Sequence, residues 1–362
     1  MARILTVYSP ERRATRMIDM SYIRWRKISE ALARLGHQVD IATAELRLRL
    51  GHRTIQLAPN LRKVPLARVR WSEYDVVKTL FHLGFQTLER YGGAGHPFIV
   101  SKLGSVVGPT DMEGIYFYGR QREQMYEVQQ RISERSRFVN LLSEPARELW
   151  RHSHGGDDNL LLVPGAVDAE IPPPSQDPYP ADGRTRCVFS GNFYVRTSRS
   201  QTEAHLTLAE KLNELGRRLS GRGMRLYVVG PGAARSLDAR YITYCGVVPY
   251  ERSWDYLHFA DVGILVAAGA FMHNNESTKL YHYLRAGLPV VSEAGFPNDH
   301  VVREAGLGFV VENGDLEQMA ERITEVAGKT WDREHAVRYI LDNHTWDRRA
   351  EVYDRVIREH IS

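Results

Sequence analysis

The stretch with the most chemical content runs from residue 274 to residue 291, NNESTKLYHYLRAGLPVV. Ser277, Thr278 and Lys279 come directly before apolar residues spaced as on the buried face of a helix, so they are expected at a helix start. Unpaired backbone N–H groups and the positive end of the helix dipole favour an anion there, and Lys279 adds a full charge. His282 comes about one turn later and could face the same pocket. The spacing predicts a phosphate site, the alternative being that the hydroxyl residues only cap the helix beside a solvated lysine.

The elements around this stretch follow a regular alternation of short apolar runs and helix-length amphipathic segments. Such alternation is typical of parallel sheets joined by crossover helices. The proline-rich stretch AEIPPPSQDPYPAD disfavours both a helix and a central strand, and so predicts an extended linker. We expect an α/β fold with two Rossmann-like domains, divided into a first domain at 1–168, the linker at 169–183, a second domain at 184–345 and a last helix at 346–362.

The length and composition suit an ordinary globular protein. A chain of 362 residues can form two domains that each bury a core. No apolar run approaches the roughly 20 residues that span a bilayer, and the N-terminus lacks the apolar core of a signal peptide, so we predict a cytoplasmic protein. Cys187 and Cys245 each stand in an apolar, strand-like run, which favours buried free thiols over a disulfide or a metal site.

The charge of the chain is unevenly distributed. Residues 1–70 contain 15 lysine and arginine residues against 5 acidic ones, a balance of +10 in a chain whose net charge is +4. A basic region that also carries aromatic residues suits the anionic face of a membrane or a phosphate-bearing acceptor, and plain solubility is an equal alternative. Nucleic acid is less favoured as a partner, because no helix-turn-helix, zinc-finger or RNA-binding signature accompanies the charge.

The segment KLYHYLRAGLPVV at residues 279–291 resembles the donor-binding helix of nucleotide-sugar glycosyltransferases with the GT-B fold, whose pattern reads roughly K-L-Y-E-Y-L-A-x-G-x-P-V-V. The large family 4 of these enzymes carries two glutamates eight positions apart, and Asn274 and His282 stand at those positions here. The Ser-x-Lys-x-x-His spacing is more similar to that of bacterial glucuronosyltransferases. Weaker similarity extends over most of residues 138–346. The resemblance implies that the two domains face each other across a cleft and that the last helix packs back on the first domain.

The resemblance also implies which residues bind the donor, a UDP-sugar that acts as co-substrate with no further cofactor and no metal ion. Glycine at the end of a strand lets the backbone approach a phosphate closely. Arg199 is an alternative to Arg196 as a source of positive charge, and Tyr250 could either stack on the base or lie free at the surface. The nucleotide-sugar-binding residues predicted in this way are Gly191, Asn192, Arg196, Val247, Val248, Tyr250, Asn274, Asn275, Glu276, Ser277, Thr278, Lys279 and His282.

An inverting transfer also needs a group that deprotonates the acceptor hydroxyl. The loop GSVVGPTDMEG in the first domain offers Asp111 and Glu113, and we predict Asp111 as this base, the alternative being that it caps the following helix. His82, in KTLFHLGF, is the rival candidate. Retaining relatives usually carry a histidine in the loop that holds Asp111, and none occurs between His96 and His152, so the sequence favours inversion.

These observations predict a hexosyltransferase-type enzyme that moves a sugar from a UDP-sugar to a hydroxyl of a lipid-linked or other anionic acceptor, in polysaccharide or glycoconjugate biosynthesis. A peripheral position on the cytoplasmic membrane face is expected from the basic region. A UDP-sugar 2-epimerase-like isomerase of the same fold and a non-catalytic sugar-nucleotide-binding protein stay open as alternatives. A dehydrogenase with two Rossmann domains is disfavoured, because YSPERRATRM after the first strand lacks G-x-G-x-x-G.

Overall fold

Two β-sheets of mainly parallel strands form the framework of the chain. The computed structural model describes residues 1–8, 20–44, 54–110, 119–193, 203–267 and 274–361. Within these ranges each sheet has buried apolar clusters on both faces, where helices cover it. This burial explains why the central strands read as near-continuous apolar runs rather than as alternating ones.

The first sheet has eight strands in the order β3-β4-β2-β1-β5-β6-β7-β8, and among these strands only β3 and β4 pair antiparallel. The strands are β1 (Arg3–Val7), β2 (Gln38–Thr43), β3 (Ile55–Ala58), β4 (Leu61–Pro65), β5 (Val76–Leu80), β6 (Ile99–Lys102), β7 (Phe138–Leu141) and β8 (Leu160–Leu162). The helices described in this half are α1 (Met20–Arg34), α2 (Phe81–Arg90), α3 (Gly119–Arg135) and α4 (Glu144–His154).

The second sheet has six parallel strands in the order β11-β10-β9-β12-β13-β14. The strands are β9 (Thr185–Ser190), β10 (Met224–Val229), β11 (Ile242–Gly246), β12 (Val262–Leu265), β13 (Val290–Glu293) and β14 (Gly308–Val311). The helices are α5 (Glu203–Ser220), α6 (Tyr250–His258), α7 (Thr278–Arg285), α8 (His300–Glu304), α9 (Leu316–Gly328), α10 (Arg333–Asn343) and α11 (Trp346–His360). The strand order reverses between β9 and β12, and in doubly wound sheets the crevice beyond that point is where ligands bind.

The chain passes between the two sheets at two adjacent places. The backbone N–H of Val167 donates to the carbonyl of His344 (3.0 Å), and the N–H of Trp346 donates to the carbonyl of Val167 (3.2 Å). From there α11 returns to the first sheet, where Tyr353 and Ile357 share a buried cluster with residues of α1. The C-terminal helix therefore packs on the first sheet and ties the two halves together.

The segment at residues 169–183 forms no helix or strand. It lies against the second sheet, where the Tyr179 ring packs on Tyr227 with ring centroids 4.6 Å apart. The Ser175 hydroxyl donates to the Asp255 carboxylate at 2.8 Å.

None of the described helices is long and apolar enough to cross a bilayer.

Candidate functional site

The start of α7 is a helix N-terminus that has polar groups without hydrogen-bond partners among the described residues. Ser277 precedes the helix in an extended conformation, and its side chain accepts no capping hydrogen bond. Asn298 holds this residue through its backbone, because its Oδ1 accepts from the Ser277 N–H (3.1 Å) and its Nδ2 donates to the Ser277 carbonyl (3.0 Å). The buried Ser277 hydroxyl has no hydrogen-bond partner among the described residues. The hydroxyl and the first-turn N–H groups are therefore left for an anion.

Lys279 lies in the first turn of α7 and reaches back to the end of β9. Its ammonium is 4.9 Å from the centroid of the Phe189 ring, and its side chain packs on Gly191. A β-carbon at Gly191 would clash with Lys279 Cε and lie 3.1 Å from its Nζ. Burial lowers the pKa of Lys279 to about 8. No acidic side chain pairs with Lys279 in the part of the chain that the structure describes, so this ammonium is a desolvated charge that favours an anionic partner.

The loops after β9, β10 and β11 converge beside this lysine. Gly191 and Gly230 have φ angles of +144° and +131° and approach so closely that a β-carbon on Gly230 would meet the Gly191 backbone. The Gly230 N–H donates to the Gly246 carbonyl at 2.8 Å. Asn192 and Val247 are exposed at the ends of these loops, and Val248 is half-buried. The structure thus brings the predicted glycine and base-binding loops to the same edge of the second sheet.

His282 and Tyr250 contact each other instead of standing free. The His282 Nδ1 is 2.9 Å from the Thr278 carbonyl, to which it donates, and its Nε2 is 3.2 Å from the Tyr250 hydroxyl. That hydroxyl also donates to Asp168 Oδ2 at 3.0 Å. The Trp254 ring stacks on the imidazole at 5.2 Å, and burial lowers the pKa of His282. Both imidazole nitrogens contact protein groups, so His282 stabilises the start of α7 and has no nitrogen left for a ligand.

The three residues before Ser277 join the second sheet to the first. Asn274 Nδ2 donates to the Val106 carbonyl (3.1 Å), and the Asn274 carbonyl accepts from the Ser143 hydroxyl (3.2 Å). The buried Asn274 Oδ1 has no partner among the described residues. Glu276 is buried and accepts from the Gly165 N–H, while burial raises its pKa. Asn275 between them is half-buried.

Arg24 of α1 contacts the start of α7, and the sequence did not predict this contact. Its Nη2 donates to the Thr278 hydroxyl, so a side chain of the first half meets the first turn of α7. Burial lowers the pKa of Arg24. The sequence showed an arginine-rich helix there, but no spacing distinguished this arginine from its neighbours.

Two other missed residues fix the loop that leads to Asp111. Gln129 is fully buried, and its amide pairs with both the N–H (3.0 Å) and the carbonyl (2.9 Å) of Val107. Arg122 donates to the carbonyls of Gly108 and Pro109 at 3.2 and 2.6 Å. Residues 103–110 are therefore held in place next to Asn274.

Of the two candidate bases, the structure describes His82 but not Asp111. His82 is buried in α2, where its Nε2 lies 3.2 Å from Gln129 Oε1, and burial lowers its pKa to about 4. Asp111 lies outside the described residues, as do Arg196 and Arg199. Among the residues that are described, no group of three or more histidine, cysteine, aspartate or glutamate side chains could hold a metal ion.

Part of the second domain matches a known protein family. Residues 211–336, which include α7 and the strands on both sides of it, match the family described as glucosyltransferase 3-like, C-terminal domain. A search of curated protein sequences finds no significant match. The family match therefore concerns the part of the chain that carries Lys279.

The similarity between this chain and solved structures extends over both sheets. Sucrose-phosphate synthase from Thermosynechococcus elongatus superimposes with a TM-score of 0.69 at 15% identity, covering 99% of this chain and 98% of that chain. A trehalose-6-phosphate structure from E. coli, bound with UDP-2-fluoro glucose, gives 0.66 at 10% identity, covering 99% of each chain. WaaG, a glycosyltransferase involved in lipopolysaccharide biosynthesis, gives 0.59 at 15% identity, covering 98% of this chain and 99% of that chain. The fold is GT-B, and together with the domain match it supports a glycosyltransferase of this type.

Proposed function

We propose, from the premise that the chain is a glycosyltransferase with the GT-B fold, that it moves a sugar from a UDP-sugar to a hydroxyl of a lipid-linked or otherwise anionic acceptor. The reaction would be independent of metal and would belong to polysaccharide or glycoconjugate biosynthesis. One observation carries the proposal: the Lys279 ammonium lies at the start of α7, against Gly191, with no acidic partner in the described chain. Such an ammonium can balance the charge that builds on a departing diphosphate.

The groups around Lys279 suit a diphosphate in particular. The helix N-terminus presents backbone N–H groups, and the buried Ser277 hydroxyl is without a partner among the described residues. Gly191, next to it, leaves room for the Lys279 side chain because it has no β-carbon. The ammonium, the helix N–H groups and the Ser277 hydroxyl all donate hydrogen bonds, which matches the acceptor oxygens of a diphosphate.

UDP is the nucleotide that we propose as the carrier of the sugar. Val247 and Val248 follow β11 at the edge where the glycine loops converge, so a base extending from the diphosphate would meet them. The Tyr250 ring stands beside them, with its hydroxyl held by Asp168 and its ring edge-on to Trp254. The similar E. coli structure bound with UDP-2-fluoro glucose supports the choice of UDP.

We propose Asp111 rather than His82 as the base that accepts the proton of the acceptor hydroxyl. His82 is buried in α2 with its Nε2 3.2 Å from Gln129 Oε1, which disfavours contact with an acceptor hydroxyl. The segment that ends at Thr110 is bonded through Val106 to Asn274, next to the predicted donor site, and Asp111 follows it directly in the chain. We expect Asp111→Asn to bind UDP normally and to lose most of its turnover; full turnover in this variant would mean that another group is the base.

The decisive experiment replaces Lys279 by alanine and measures UDP binding by calorimetry. Loss of one charge-assisted contact should weaken binding by roughly tenfold to a hundredfold. Lys329→Ala is a matched control, because this lysine also lies over an aromatic ring, 4.3 Å from the centroid of Trp331, but outside the site. If Lys279→Ala binds UDP as tightly as the parent does, the diphosphate assignment is wrong.

Two further measurements separate the enzyme from its alternatives. A thermal-shift screen of UDP, GDP, TDP and their sugar conjugates identifies the donor, since a ligand that binds only the folded chain raises its stability. Consumption of the UDP-sugar only when an acceptor is present indicates transfer, whereas conversion without an acceptor indicates a 2-epimerase. Binding without any turnover would leave the sugar-nucleotide-binding protein as the function.

A further inference from the structure

A small cavity lies where the first sheet, α1 and α11 meet the segment that leads to the second sheet. Its volume is about 10 Å³, which is room for about one particle the size of a water molecule. Three of the residues that line it are basic, namely Arg24, Lys102 and Arg349, and none of its lining residues in the described part of the chain is acidic. Trp346 and Tyr353 of α11 form part of its wall.

The polar side-chain groups around this cavity are donors. Arg24 Nε and Trp346 Nε1 are both buried and have no hydrogen-bond partner among the described residues. Lys102 has three N–H donors and uses one of them at 3.3 Å on the Val163 carbonyl. The Tyr353 hydroxyl is already engaged with Asn140. Buried donors without an acceptor are rare in folded proteins, so a pair of them around one cavity indicates an acceptor inside it.

The basic groups near the cavity also favour an anion inside it. Lys78 is buried just behind the cavity, with its ammonium 4.6 Å from the centroid of the Tyr353 ring. The charge of the Glu276 carboxylate acts on both Arg24 and Lys102, but its oxygens accept from the Gly165 N–H and the Tyr281 hydroxyl. Burial lowers the pKa of Lys78 to about 7 and that of Lys102 well below its ordinary value, with Arg24 lowering it further. A buried ammonium keeps its proton near neutral pH only where an anion stabilises it, so these lysines favour an anion in the cavity.

We propose that this cavity is a halide-binding site that holds one chloride ion, with Arg24, Lys102 and Trp346 as its donors. The small volume favours a monatomic anion over phosphate, sulfate and carboxylate ligands. A water molecule would need acceptors for its own two hydrogens, whereas a chloride ion needs only donors. Because the donors come from α1, β6 and α11, the ion would hold together the elements that meet beside the start of α7.

Thermal unfolding at pH 7 tests the site in sodium chloride against sodium gluconate at equal ionic strength. Chloride should raise the melting temperature of the parent chain by roughly 3 °C or more, with saturation, because it binds only the folded form. Lys102→Met keeps the aliphatic stem and removes the charge, so this variant should lose the response to chloride and be at least as stable as the parent in gluconate. Arg240→Met is the control, because this exposed arginine pairs with Asp238 far from the cavity and should keep the response.

A bromide soak of parent crystals provides a readout that does not depend on any variant folding. An anomalous peak inside the cavity supports the proposal, together with a halide-specific stabilisation. Bromide confined to the protein surface overturns it. So does a chloride response that is absent in the parent or kept by Lys102→Met.

Discussion

The Lys279 side chain combines a position in the first turn of a helix with a desolvated ammonium. Its neighbours Phe189 and Gly191 offer no negative charge, which is why burial alone lowers its pKa to about 8. A bound diphosphate would reverse this effect, because an adjacent negative charge stabilises the protonated form. The residue is therefore poised to couple proton uptake to nucleotide binding.

The pH dependence of UDP binding follows from this coupling. The pKa of Lys279 is about 8 in the free protein and would be higher with UDP bound, so we expect full binding strength well below pH 8. Affinity should fall as the pH rises through 8, with a slope that approaches tenfold per pH unit. Calorimetry between pH 7 and 9.5 measures this, since the terminal phosphate is already ionised above its pKa of about 6.

Lys279→Arg provides the matched control, because arginine keeps its charge over this range and should remove the fall in affinity. An identical pH profile in the parent and in Lys279→Arg would mean that some other group titrates.

The fit between Gly191 and Lys279 yields a second prediction. Alanine at Gly191 would place a β-carbon against Lys279 and would strain a backbone with φ +144°, so UDP affinity should fall at least tenfold while stability falls by about 1–3 kcal/mol. Gly223→Ala separates the two effects, because Gly223 has φ +76° and open space around it. The control should lose stability but keep its UDP affinity; equal UDP affinity in both variants would contradict the assigned contact.

At the scale of elements, the position of α7 depends on contacts from segments that are distant in the chain. Asn298 holds the backbone of Ser277, Arg24 holds the Thr278 hydroxyl, and Glu276 accepts from Gly165. These contacts come from the loop before α8, from α1 and from the passage between the sheets. They fix the direction in which the helix N-terminus points, which helix propensity cannot do.

Asn298→Ala tests the importance of this support. The substitution leaves the buried Ser277 N–H unpaired and removes one of two hydrogen bonds from the Ser277 carbonyl, which also accepts from the Leu280 N–H. This change should cost about 2 kcal/mol of unfolding free energy and weaken UDP binding severalfold. Denaturant unfolding and calorimetry measure the two effects. Asn343→Ala is the control, because the exposed Asn343 side chain donates only to the Tyr339 carbonyl of its own helix. Parent-like stability and affinity in Asn298→Ala would show that α7 is held by other contacts.

At the scale of the whole molecule, the basic excess of residues 1–70 is partly neutralised within the fold. Arg34 pairs with Asp347 of α11 at 2.7 Å, and Lys27 pairs with Asp168 at 3.2 Å. Arg3 pairs with Glu73 at 3.0 Å. The remaining charge still gives this half of the molecule a positive field, which is screened by salt.

Membrane association is therefore expected to be electrostatic and reversible. The chain should co-sediment with vesicles that contain about 30% anionic lipid at low salt, and the bound fraction should fall steeply by about 300 mM salt because the Debye length shortens. Vesicles of neutral lipid should bind little at any salt concentration. No binding to anionic vesicles at low salt would assign the basic excess to solubility alone.

Much of the fold could be predicted because it depends on local patterns. The six strands of the second sheet lie in short apolar runs that alternate with helix-length segments, which is the pattern that predicts a parallel sheet. The hairpin of β3 and β4 was missed, because β3 is only half-buried and lacks the apolar run of the other strands. The assigned domain boundaries and site residues remain predictions.

The sequence by itself determined that a cationic helix start follows a buried strand, since capping residues, apolar spacing and Lys279 are all local features. Only the tertiary structure decided what surrounds that helix start. Arg24 meets Thr278 across 254 positions of the chain, and Asn274 meets Val106 across 168. The cavity beside Lys102 arises in the same way, from side chains on elements that are remote in sequence. Contacts of this kind depend on how two sheets pack and on where α11 crosses, and no short stretch of residues specifies either.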